Sequence, residues 1–129
     1  MGQLARDPHV ALIVEDETEV RQFAATLLEE TDLDVVETSS AEEALHYLEH
    51  HGRDVALLFA DVRLPCLMNG VDLARKVKHR WPWVRTILTS GAPLDREADD
   101  MPRGVRFMLK PWRPLEVLME AERVLAKPA

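Results

Sequence analysis

Apolar residues fall along this chain in two alternating rhythms. Short continuous runs of strand length alternate with stretches in which apolar positions recur every three or four residues. The longest run, Val55-Ala56-Leu57-Leu58-Phe59-Ala60, stops on Asp61. Such a run fits a strand buried on both faces, as in the centre of a parallel sheet. Val10 to Val14 is a second run and gives way to Glu15-Asp16-Glu17. Asp34 to Thr38 around Val35-Val36, Val84 to Thr89, and Val105 to Leu109 complete five predicted strands. The last two are followed by Ser90-Gly91 and Lys110-Pro111.

Between the runs the spacing is helical. Val20, Phe23, Ala24, Leu27 and Leu28 predict a helix over 19–30. Ser39-Ser40-Ala41-Glu42-Glu43 reads as a capping box: a serine oxygen accepts a first-turn N–H and Glu43 reaches back. The helix it opens runs to Gly52. Pro65 and Asn69-Gly70 are turn formers. Val71, Leu73, Ala74 and Val77 then carry a helix that ends before Pro82, with Lys76, Lys78 and Arg80 toward its C-terminal end. Pro114 suits the first turn of a last helix with Leu115, Leu118, Met119, Ala121, Val124 and Leu125 as its apolar face. Pro93 to Pro102 has few apolar anchors, so the fourth helix is expected to be short, irregular or mobile. Strand and helix alternate five times. That order predicts one α/β domain with a parallel sheet, right-handed crossovers and helices on both faces.

Composition narrows the function more than the fold. The 129 residues suffice for one domain with a real core, and 47% hydrophobic with 30% charged is an ordinary globular balance. A net charge of −7 argues against a nucleic-acid surface, which normally carries a basic patch. The single cysteine, Cys66, excludes an internal disulfide and suits a reducing compartment. No apolar run approaches the length of a membrane span, and the first residues lack the apolar core of a signal peptide. The expectation is a cytoplasmic protein.

Chemistry collects at the strand ends. Parallel α/β sheets hold their sites in the crevice at the carboxyl ends of the strands. Those ends carry Glu15 and Asp16, then Asp61, Ser90 and Lys110. Gathered at one edge, the three carboxylates repel: two like charges about 4 Å apart cost about 4 kcal/mol at an effective dielectric near 20. A cation relieves them, and a few hard oxygen ligands favour Mg²⁺, which also takes phosphate oxygens. Lys110 and the Ser90 hydroxyl could meet phosphate oxygens arriving on Asp61, and aspartate is an established nucleophile toward phosphoryl groups.

With Glu15-Asp16, Phe59-Ala60-Asp61-Val62-Arg63-Leu64-Pro65, Ser90-Gly91 and Lys110-Pro111 in this order, the chain resembles the receiver domain of bacterial two-component response regulators over roughly residues 9 to 127. The resemblance implies a flavodoxin-like, doubly wound sheet in the order 2-1-3-4-5. Asp61 would be the phospho-acceptor, fed by a sensor histidine kinase or a phosphotransfer protein. Mg²⁺ would be held by Asp16, Glu15, Asp61 and the backbone carbonyl of Arg63. Lys110 would hold Asp61 or its phosphate, Ser90 would swing in to bond the phosphoryl group, and Phe107 takes the aromatic switch position. A cis Lys110-Pro111 bond is implied. The output partner would bind the face of helix four, strand five and helix five, with the protein a monomer or weak homodimer. A stand-alone receiver with no output domain after the last helix is expected, not an enzyme except in its own phosphorylation and dephosphorylation.

Departures from the family pattern lie near the site. Gly70 comes one residue later than usual, lengthening the loop that holds Cys66. His46, His50 and His51 lack Cys or Asp partners at ligand spacing and read as a solvated helix end. Trp81-Pro82-Trp83 reads as an anchor for a helix-to-strand turn. Two other layouts compete: a Mg²⁺-dependent phosphohydrolase with an Asp nucleophile, which wants a second acid where Arg63 stands, and a flavin module, whose phosphate Glu15-Asp16-Glu17 would repel. A degenerate receiver that acts by binding alone is the remaining alternative.

Overall fold

The computed structural model describes residues 7–93 and 101–125. The elements are β1 (Val10–Val14), α1 (Thr18–Glu29), β2 (Asp34–Thr38), α2 (Ala41–His51), β3 (Val55–Asp61), α3 (Gly70–Arg80), β4 (Arg85–Ser90), β5 (Arg106–Leu109) and α4, the last helix (Pro114–Leu125). A turn of 3₁₀ helix, Gly52–Asp54, joins α2 to β3. The five strands pair in parallel in the order 2-1-3-4-5, as the resemblance implied.

Side chains alternate across a strand, so each central strand feeds two cores. Leu12, Val14, Leu58, Ala60 and Leu88 face one way and meet Ala41, Ala44 and Leu48 of α2 with Leu73, Ala74 and Val77 of α3. Ala11, Ile13, Leu57, Phe59 and Ile87 face the other and meet Ala24, Leu27 and Leu28 of α1 with Val117 and Ala121 of α4. Both faces of β1 and β3 are buried throughout, which is why their sequences are continuous rather than alternating. Each fully buried Leu, Ile or Phe contributes about 1.5–3 kcal/mol.

Local chemistry sets the helix ends. Ser40 Oγ accepts from the Glu43 amide at 3.1 Å, as the capping box requires, but the return bond from Glu43 lands one residue earlier, on the Ser39 amide at 3.1 Å. Asn69 caps α3 with a reciprocal bond to Asp72, so Asn69-Gly70 starts a helix rather than a free turn. Gly52 is in a right-handed conformation, and its smallness serves packing. A Cβ there would lie 2.2 Å from Trp81 Nε1. Trp81 is buried and carries the Arg80 guanidinium 4.4 Å over its ring, so it does anchor the turn out of α3.

The expected apolar face of the last helix is half right: Ala121, Val124 and Leu125 do reach the core. Leu115 and Met119 are exposed, while Val117, Glu120 and Ala121 point inward. Glu120 is 2% exposed because Arg85 Nε meets its carboxylate at 2.7 Å and Arg106 approaches at 3.5 Å. A charged residue thus occupies a core-facing position that hydrophobicity alone does not reveal. The expected irregular segment over 93–102 falls mostly on residues 94–100, outside the described residues. No helix among the described residues is long and apolar enough to cross a membrane.

Candidate functional site

Strand register builds the site. Val14 lies opposite Ala60, Asp61 opposite Thr89, and Ser90 opposite Leu109. The residues that end β1, β3, β4 and β5 therefore emerge side by side at one sheet edge. Two backbone bonds extend the pairing past the strands, Val62 N–H to Thr89 O at 2.8 Å and Lys110 N–H to Ser90 O at 2.8 Å. The Lys110-Pro111 peptide is cis.

Lys110 is the electrostatic centre. Its Nζ donates to Asp61 Oδ2 at 2.6 Å and to Glu15 Oε1 at 2.8 Å, joining residues 95 apart in sequence. Glu15 and Asp61 are buried, at 2% and 7% exposure, whereas Asp16 is open to solvent. One carboxylate oxygen from each of the three comes within 4.8 Å of the others. Three anions and one ammonium leave excess negative charge. An oxygen-only set with one solvent-facing member suits a hard dication that keeps several waters, which describes Mg²⁺.

Two amides hold the acids in place. The Glu17 N–H donates to Glu15 Oε2 at 3.0 Å, and the Arg63 N–H to Asp61 Oδ1 at 2.9 Å. Burial pushes the Glu15 carboxyl above its ordinary value, against the opposing pull of the bonds from Lys110 and Glu17. Burial would lower the Lys110 ammonium, but its bonds to Asp61 and Glu15 outweigh that and hold it above its ordinary value. Lys110 is therefore charged at any physiological pH.

Glu15, Asp16, Asp61 and Lys110 converge as the sequence predicted. Ser90, though buried at the same edge, has its hydroxyl oxygen turned to the Ala92 amide at 3.2 Å. Phe107 lies opposite Leu88 on β5, half-buried against the core shared with α2 and α3. Trp112 is buried, edge-on to Phe59 with ring centres 4.9 Å apart, and stacked with Phe23.

Three groups make supporting contacts that the sequence did not disclose. Arg21, in the second turn of α1, donates from Nη1 to the Glu15 carbonyl at 3.0 Å and from Nε to Glu37 at 3.3 Å. Glu42 of α2 accepts the Met68 amide at 3.0 Å and so holds the far end of the long loop after Asp61. Gly70 packs on Asp61 itself: a Cβ there would lie 2.1 Å from the Asp61 carbonyl oxygen. Within that loop Cys66 is exposed and left-handed at φ 73°, a conformation a non-glycine residue seldom takes.

The family model of the response regulator receiver domain matches residues 11–122. The chain belongs to this family. Among curated proteins, it is 30% identical over 118 residues to sensor kinase CckA of Brucella abortus (strain 2308), covering 90% of this chain and 12% of that one. It is 27% identical over 116 residues to the response regulator receiver protein CpdR of the same strain, covering 88% and 94%. This receiver chain thus spans a small part of the sensor kinase and nearly the whole of the receiver protein. Among solved structures, the signal receiver domain of an HD domain-containing protein from Pseudomonas fluorescens Pf-5 superposes with a TM-score of 0.80 at 27% identity, covering 93% of this chain and 95% of that one. A receiver is a phospho-accepting signalling module, and the acidic cluster of this one fits a Mg²⁺ site.

Proposed function

We propose that Asp61 is the residue that takes the phosphoryl group. The observation that carries this reading is Lys110 Nζ bonded to both Asp61 and Glu15, with Asp16 completing an oxygen triad beside them. An Asp61 carboxylate oxygen attacks phosphorus, the bond from phosphorus to a donor imidazole breaks, and the imidazole nitrogen keeps the electron pair. The product is an acyl phosphate on Asp61. Glu15, Asp16, Asp61 and the Arg63 carbonyl would hold Mg²⁺, which when bound neutralises charge on the phosphoryl oxygens. Lys110 stays charged and draws the new phosphate to the sheet edge.

Ser90 supplies the switch in this reading. Its hydroxyl gives up the Ala92 amide and donates to a phosphoryl oxygen, a charge-assisted bond of about 1.5–3 kcal/mol. Moving a two-state equilibrium from 1:99 to 99:1 takes about 5.5 kcal/mol, so repacking of Phe107 and partner binding would contribute the rest. The donor would be a histidine kinase or phosphotransfer protein, and the output face would centre on β5 and α4. The phosphohydrolase alternative lacks its second acid, because Arg63 stands there with its amide spent on Asp61.

Acetyl phosphate with Mg²⁺, followed by intact mass, tests the assignment. The expected result is one added phosphoryl group, absent in Asp61→Asn and absent without Mg²⁺. An adduct that survives Asp61→Asn overturns the acceptor. Failure of the wild type to react under several conditions moves the reading to a receiver that signals by binding alone.

A further inference from the structure

Away from the acidic edge, α2 carries three histidines on its second half, and the structure pairs two of them and turns the third to a tyrosine. His46 and His50, four residues apart, bring their ring centres to 4.6 Å at an interplanar angle of 55°. His51 turns instead to Tyr47, with ring centres 4.8 Å apart. Two imidazoles bound side by side to one metal, at metal–nitrogen distances of about 2.0–2.1 Å, place their ring centres roughly 4.5–5 Å apart. His46 and His50 already have that spacing.

A second observation concerns the protonation of His50. Its Nδ1 lies 2.9 Å from the His46 carbonyl oxygen. A carbonyl only accepts, so Nδ1 carries the hydrogen and the lone pair of the neutral ring sits on Nε2. Metal-bound histidines characteristically fix their tautomer in this way, by donating the other ring nitrogen to a carbonyl. The pair also lines a cavity of about 290 Å³ together with Glu37, Thr38 and Glu43. Of the two glutamates in that lining, Glu37 is paired with Arg21 and Glu43 accepts the Ser39 amide, so the donors the cavity offers are the imidazoles.

We propose that His46 and His50 form a binding site for a borderline transition-metal ion of the Zn²⁺, Ni²⁺ or Cu²⁺ class, separate from the acidic cluster. Imidazole donors select these ions, whereas the carboxylate cluster selects Mg²⁺, so the two sites divide divalent ions by donor softness. Spacing of two histidines at i and i+4 puts both on one helix face, the arrangement that helical zinc sites use. His51 lines the same cavity but turns its ring to Tyr47, and is not one of the two donors proposed.

Calorimetric titration with Zn²⁺ alone, into protein held in saturating Mg²⁺ so that the acidic cluster is occupied, is the test. One Zn²⁺ per chain is expected. His46→Ala and His50→Ala should each weaken it by more than about tenfold, the loss that even an outer-sphere change can produce. His51→Ala should bind as the wild type does. A Co²⁺ titration should give a visible ligand-field band that vanishes in His46→Ala. The histidines are exposed, so these variants are expected to fold, and an unchanged acetyl phosphate reaction checks that they do. Zn²⁺ binding that persists in His46→Ala, is absent from the wild type, or is lost only in Asp61→Asn overturns the site.

Discussion

Lys110 reaches from the end of β5 to Asp61 at the end of β3, its Nζ 2.6 Å from Oδ2, across the width of β4. The same ammonium holds Glu15 at 2.8 Å, so one cation offsets two buried carboxylates. Removing one partner of a buried ion pair costs about 3 kcal/mol, because the charge left behind is neither solvated nor matched. Lys110→Ala should therefore lower the unfolding free energy by about that amount in metal-free buffer. Mg²⁺ should recover much of the loss by replacing the missing charge. Urea unfolding with and without Mg²⁺ measures both effects, and an unchanged midpoint in chelator would refute the role given to Lys110.

Glu15 makes the metal-free fold sensitive to pH. Its carboxyl is raised above the ordinary 4.5, so between that value and its native value the folded state binds more protons than the unfolded one. Stability then falls as pH rises through the window. Glu15→Gln abolishes this dependence, and wild type should lose stability relative to the variant as pH rises from the ordinary carboxyl value of 4.5 through the higher native one. Lys110 acts at the other end: its contribution is complete below the unfolded value of 10.5 and is lost only as pH rises through its higher native value. Parallel denaturation curves for wild type and Glu15→Gln across the acid range would contradict the assignment.

Gly70 is required by space rather than by backbone freedom. The atom that an added Cβ would strike, 2.1 Å away, is the Asp61 carbonyl oxygen, which cannot rotate aside. Gly70→Ala should cost about 3 kcal/mol, the upper end of ordinary overpacking, and should displace Asp61. Slower phosphorylation by acetyl phosphate should accompany a lower melting temperature. A variant with native stability and rate would show that α3 can move away freely.

Arg21 holds the β1–α1 turn from behind, through the Glu15 carbonyl and Glu37. Its guanidinium meets the backbone of Glu15 rather than a ligating carboxylate, yet it fixes the turn that presents two predicted ligands. Arg21→Ala should weaken Mg²⁺ binding by about tenfold, the loss typical of outer-shell partners. Arg21→Lys should restore part of it, since one donor survives. Equal Mg²⁺ affinities in all three proteins would leave Arg21 only its surface pair with Glu37.

These cases mark what a sequence discloses and what it withholds. The strands were readable because burial on both faces leaves unbroken apolar runs, and β1 and β2 have the expected bounds. Glu15, Asp16, Asp61 and Lys110 were readable because parallel strands deliver their last residues to one edge. Contacts made by side chains on other elements were not. Arg21 and Glu42 look like any solvated helix charges until the fold brings Glu15 and Met68 to them. Glu120 misled outright, since two arginines from β4 and β5 turn a charged position into a core one. His46 and His50 are exposed, as a solvated helix end requires, but spacing alone gives neither their ring separation nor the tautomer of His50.

The loop after Asp61 is pinned at both ends. Arg63 N–H to Asp61 and Gly70 N–H to Val62 close its base, and Glu42 clasps Met68. Between the pins, Pro65, Cys66 and Leu67 stand out in solvent, Leu67 at 99% exposure. Those three positions form a replaceable cassette. Their length and chemistry can diverge, lending the rim of the site its own identity to an approaching protein, while the geometry around the aspartate stays as it is.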